Sequence, residues 1–77
     1  MEKQSIDYVA LGKRIREWRK AKNITQEQLA NATDKTVQHI SNIERCHTKV
    51  SLSTLVEIAN CLDVSANDLL CDSLKNS

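Results

Sequence analysis

The sequence predicts an all-α fold, on three observations. Its 77 residues hold no Pro and a single Gly, Gly12, whereas tight hairpins lean on both residue types. The aromatic residues that favour strands are almost missing, with Trp18, Tyr8 and no Phe. Apolar residues recur at helical spacing along most of the chain. The length suits one domain, and folding hides only about 60% of the surface of so short a chain, which argues against a deep catalytic cleft. A chain that is 40% hydrophobic and 27% charged belongs with folded soluble proteins rather than disordered tails.

The expected organisation is a flexible N-terminus over 1–6, a helical domain over 7–71 and a short tail over 72–77. The first helix runs from Asp7 to Lys22, with Leu11, Ile15 and Trp18 at i, i+4 and i+7 and basic residues on its other faces. Trp18, at i+3 from Ile15, reads as core. Asn23 suits a left-handed helix end because Asn tolerates positive φ. Thr25 through Gln28 then form a capping box that opens a second helix over 26–32, burying Leu29 and Ala30. After the polar break Thr33-Asp34-Lys35, Thr36 caps a third helix over 37–45 with Ile40 and Ile43 inward. Ser51 caps a fourth, whose stripe is Leu52, Leu55, Ile58, Ala59 and Leu62. Ser65 and Asp68 start a fifth, and Val64 can staple against Leu69 across that start.

Charge is uneven along the chain. Residues 1–49 carry ten Lys/Arg against six Asp/Glu, and residues 50–77 carry one against four, so a net charge of +1 conceals a basic half and an acidic half. The basic half can face a polyanion while the acidic half turns away. No apolar run approaches the roughly 18 residues of a membrane span, and the charged N-terminus is not a signal peptide. Cys46, Cys61 and Cys71 lie 15 and 10 residues apart, without the close pairs of a zinc site. An odd, sparse set of cysteines suits a reducing cytosol better than a disulfide scaffold. Nothing in the sequence assembles a nucleophile with a base, a phosphate-cradling Gly loop or a carboxylate cluster. An enzyme, a metal and a cofactor are therefore not expected.

Two short helices joined by a three-residue turn make a helix-turn-helix arrangement, though many small bundles share it. The residues narrow it further. Gln26 through Ala30, then Ile40-Ser41-Asn42-Ile43-Glu44-Arg45, Ser51 through Leu55 and Ile58 through Ser65 fall in one register without gaps. Over about Leu11 to Leu70 the chain closely resembles the lambda-repressor-like (Cro, or xenobiotic-response-element, XRE) helix-turn-helix family.

That resemblance implies a compact five-helix domain that binds double-stranded DNA, its third helix in the major groove and its second across the backbone. It places Thr36, Val37, Gln38, His39 and Asn42 at groove-facing positions, Gln26 at a phosphate or outer base, and His47, Thr48 and Lys49 at the backbone. The chemistry of these side chains suits those roles. Gln38 can offer adenine a matched donor and acceptor, and Asn42 can do the same or reach a phosphate. Val37 either meets a thymine methyl or joins the core. His39 either contacts DNA or packs on the second helix, and Lys49 is a phosphate contact or a free surface lysine.

The resemblance also pairs Arg19 with Glu44, a structural link between the first helix and the end of the third. Four positions depart from the family pattern. Asp34 stands for the turn glycine, Lys35 for an apolar residue, Cys46 for the glycine after the third helix, and Ser53 for a frequent Pro. Lys35 must then snorkel its ammonium out of a normally buried place, which bears on the tilt of the third helix.

The function expected is a bacterial or phage-type transcriptional regulator, a small repressor or controller protein in the cytoplasm at the nucleoid. A homodimer on a pseudo-palindromic operator would double the readout, with Leu69, Leu70 and Leu74 as its apolar interface. An antitoxin-like or anti-repressor module that holds a protein partner, such as a toxin, is the alternative. A contact to RNA polymerase through Glu27 would serve activation.

Overall fold

The computed structural model describes residues 4–70 and 74–76. A three-residue strand, β1 (Gln4–Ile6), leads into five helices: α1 (Tyr8–Ala21), α2 (Gln26–Ala32), α3 (Val37–Glu44), α4 (Leu52–Leu62) and α5 (Ala66–Leu70). A second strand, β2 (Leu74–Asn76), pairs antiparallel with β1, setting Gln4 opposite Asn76 and Ile6 opposite Leu74. The helices fall where the sequence predicts them. The ribbon does not: 1–6 and 72–77 read as tails, since three-residue strands are too short for an alternating pattern to show. Cys71 and the Leu74 side chain lie outside the described residues.

Each helix starts at a side-chain cap that supplies an acceptor for otherwise orphaned amides. Asp7 Oδ1 accepts from the Val9 and Ala10 amides at 3.1 and 3.3 Å. Thr25 and Gln28 exchange side-chain and backbone bonds of 2.9 and 3.0 Å, a complete capping box. Thr36 Oγ1 accepts from His39 N at 3.0 Å, and Ser51 Oγ from Thr54 N at 3.3 Å. Ser65 and Asp68 repeat the reciprocal box at 3.0 and 3.1 Å.

Four helices end in the same way, with a left-handed residue and two closing hydrogen bonds. Asn23, Asp34, Cys46 and Asp63 have φ between 55° and 59°. After each, the next residue's amide reaches back to the carbonyl five positions earlier, as in Ile24 to Arg19, Lys35 to Ala30, His47 to Asn42 and Val64 to Ala59. These are Schellman endings, and glycine occupies none of them. In α2 the ending leaves the Lys35 side chain exposed, so its ammonium never enters the core. Thr33, just before it, is buried, and its hydroxyl donates to the Leu29 carbonyl at 2.8 Å.

The core gathers one face of every helix: Leu11 and Ile15 from α1, Leu29 and Ala30 from α2, Ile40 and Ile43 from α3, Leu55, Ile58, Ala59 and Leu62 from α4, and Leu69 from α5. Trp18, Val64, Cys61 and Leu70 pack partly buried against it. Two expectations need correction. Leu52 is 75% exposed, because it stands at the first position of α4 on the edge of the buried arc. Val50 is buried in its place, one residue before the Ser51 cap, where a staple against Leu55 sits. Leu69 has no exposed surface at all, so α5 cannot offer it to a second copy.

Gly12 serves close approach rather than a turn. A Cβ at this position would come within 2.9 Å of the Glu44 carbonyl oxygen and closer still to that of Ile43. The missing side chain therefore lets α1 lie directly on the last turn of α3.

Candidate nucleic-acid interface

The orientation of α3 is held at its C-terminal end by a nearly buried ion pair. Arg19 Nε donates to Glu44 Oε2 at 2.7 Å and its NH2 to Oε1 at 3.1 Å, a two-pronged contact. The third guanidinium nitrogen donates to the Ile24 carbonyl at 2.9 Å, so Arg19 also fixes the turn before α2. Gln26 Nε2 adds a further donor to Glu44 Oε1 at 3.1 Å. One carboxylate thus ties together α1, the first residue of α2 and the end of α3. The same contact accounts for where Gln26 lies, half-buried at the mouth of the site rather than standing free.

Beside this pair is a concavity lined by Lys13, Arg16, Gln26, Ser41, Glu44 and Arg45. Its one acid is already matched by Arg19, which leaves the three outer cations to set the local field. Lys13, Arg16 and Arg45 were not among the residues that sequence reasoning selected. On paper Lys13 and Arg16 belong to the outer face of α1. The close crossing at Gly12 is what brings them alongside α3, and a lone glycine inside a helix was the available signal.

Along α3 itself, Thr36, Val37 and Gln38 are exposed, and His39 and Asn42 are half-buried. Val37 is 42% exposed, so it is not a core residue. Thr36 uses its hydroxyl oxygen as the cap, which keeps the hydroxyl proton as a donor. Gln38 and Asn42, one turn apart, meet through a bond from Gln38 Nε2 to Asn42 Oδ1 of 3.0 Å. After the helix, His47 and Lys49 are exposed and Thr48 is half-buried. The Lys49 ammonium lies 5.5 Å from the centre of the Tyr8 ring, which draws that loop to the start of α1.

The remaining candidates for chemistry are quiet. Cys46 and Cys61 are free thiols, and burial pushes the Cys61 thiol up from its usual pKa, away from the reactive thiolate. Among the described residues, no three His, Cys, Asp or Glu side chains gather as a metal site. No helix there is long and apolar enough to cross a membrane.

A helix-turn-helix family model matches residues 15–69, most of the chain. The chain belongs to the helix-turn-helix family. Within that family it is 37% identical over 67 residues to the control protein C.SmaI of Serratia marcescens, covering 86% of this chain and 80% of that protein. Among solved structures it is similar to the restriction-modification controller protein C.AhdI of Aeromonas hydrophila. That match has a TM-score of 0.80 and 34% identity, over 83% of this chain and 97% of the other. It is similar also to the P22 c2 repressor, solved with a synthetic operator, at a TM-score of 0.72 and 32% identity over 78% and 91% of the two chains. This helix-turn-helix protein is a DNA-binding transcriptional regulator of the XRE type, and its five helices have the lambda-repressor-like arrangement.

Proposed function

We propose that the chain is a small repressor or controller protein that binds a pseudo-palindromic operator as a homodimer. The observation that carries this reading is the position of α3. The helix presents Thr36, Gln38 and Asn42 at least partly to solvent, while Ser41, Glu44 and Arg45 join Lys13 and Arg16 in lining a concavity whose unmatched charges are Lys13, Arg16 and Arg45. The amides suit base edges, and the cations suit the flanking phosphates. Gln26, His39, His47, Thr48 and Lys49 complete the contact set, with Val37 at a thymine methyl. The similarity to a repressor solved on an operator supports the same docking.

Dimerisation follows from the need for readout, because one such module reaches too few bases for high specificity. The half-buried Leu70 of α5 is the residue proposed for the interface. The expected place of work is the cytoplasm, at the nucleoid. Selection from a random duplex library at about 150 mM salt tests the reading, since non-specific binding is already weak there. The expected result is an inverted repeat with half-site centres about 34–36 Å apart. Enrichment of no sequence would favour the alternative, a module whose main ligand is a protein.

A further inference from the structure

We propose that Asn42 is a positioning residue that presents Gln38 to adenine, the two amides reading one A·T base pair as a unit. This rests on the DNA-binding reading above and adds a base preference to it. Gln38 Nε2 lies 3.0 Å from Asn42 Oδ1, one helical turn away on an exposed part of α3. A primary amide carries two N–H protons, one beside its carbonyl oxygen and one on the far side. Pairing with adenine uses the oxygen and the proton beside it: Oε1 accepts from N6–H, and Nε2 donates to N7. The far proton takes no part in that pairing, and in the proposed arrangement it is the one given to Asn42 Oδ1, 3.0 Å from Nε2.

The hold also fixes which way round the Gln38 amide sits. Turning it over would set Oε1 against Oδ1, two acceptors face to face. With the amide fixed, its outward edge shows one acceptor and one donor in a set order. Adenine matches that order. Guanine, with acceptors at both O6 and N7, would put O6 against Oε1. Asn42 keeps both of its own amide protons for a phosphate or the next base edge. In the free protein water competes for the Gln38–Asn42 bond. In a groove from which water has been expelled the bond is stronger.

The test uses the full chain and the operator that selection returns. Gln38→Ala locates the base pair concerned, as the position whose preference for A·T over G·C falls by about tenfold or more. At that position Asn42→Ala should lower the preference by about two- to tenfold, the worth of pre-ordering one side chain. In the Gln38→Ala background it should change the preference no further. Asn42→Asp keeps an acceptor for Nε2, so it should retain the preference while weakening binding to all sequences through repulsion from phosphate. It carries the test alone if Asn42→Ala does not fold.

If the wild-type chain enriches no sequence, the DNA-binding reading fails and this inference falls with it. If an operator emerges but Gln38→Ala abolishes no base preference, the inference alone fails. The same holds if Asn42→Ala leaves that preference intact or lowers it equally without Gln38, or if Asn42→Asp loses it.

Discussion

Gly12 and Glu44 are in backbone contact. The Cα of Gly12 lies so near the end of α3 that a Cβ there would stand 2.9 Å from the Glu44 carbonyl oxygen. The side chain of the same Glu44 takes Arg19 from a point two turns further along α1. The two contacts fix the crossing of α1 over α3, and with it the direction in which Gln38 and Asn42 point.

Gly12→Ala should therefore be destabilising although Ala is the better helix former by about 1 kcal/mol. The atoms in the way are backbone, so α1 and α3 must move apart, at about 1–3 kcal/mol. Thermal melting reads the loss, and operator affinity should fall further than stability alone explains, because α3 is re-aimed. A melt equal to or above wild type would show that the crossing is looser than its geometry states.

Arg19→Met should cost about 3–5 kcal/mol, comparable to the whole stability of a domain this small. The loss comes from stranding Glu44, whose side chain is only 1% exposed. Replacing both partners, Arg19→Met with Glu44→Leu, should recover much of it by removing the unpaired charge. An unchanged denaturation midpoint in the single variant would refute the energetic role of the pair.

Cys46→Gly should stabilise the fold. Cys46 holds φ at 59°, where a side chain that is neither Asn nor Asp is strained by about 1 kcal/mol. Relief of that strain should raise the melting temperature by about 4–8 °C. Asp34→Gly, at a φ of 55°, should give less, since Asp tolerates this region better. A lower melting temperature for Cys46→Gly would mean that the thiol makes a contribution worth more than the strain.

Leu70→Asp should halve the mass seen by light scattering at concentrations where the wild-type chain is dimeric, with helix content by circular dichroism unchanged. Leu69 would not serve in this test, because it is wholly buried and its replacement would unfold the chain. Dimers that survive Leu70→Asp would move the interface to another face.

Much of this was legible in the sequence because it is local. Thr25 with Gln28, Thr36 with His39, Ser51 with Thr54 and Ser65 with Asp68 are partners three residues apart, so the caps that start four helices depend only on neighbouring residues. Asn23 declared its left-handed ending for the same reason. The ribbon was invisible because Gln4–Ile6 and Leu74–Asn76 are brought together only by the helices between them. Leu52 was misplaced because helical spacing marks a stripe and not where along it burial begins.

The sequence by itself determined five helices, their caps and the helix-turn-helix register. Only the tertiary structure decided that Lys13, Arg16 and Arg45 share a concavity with Gln26, that Leu69 is core while Leu70 is not, and that Gln38 and Asn42 are joined. Capping and periodicity act over one or two helical turns, so a short stretch of chain settles them. The crossing of two helices is set by every side chain between them, here by the absence of one at Gly12, and only the assembled fold resolves it.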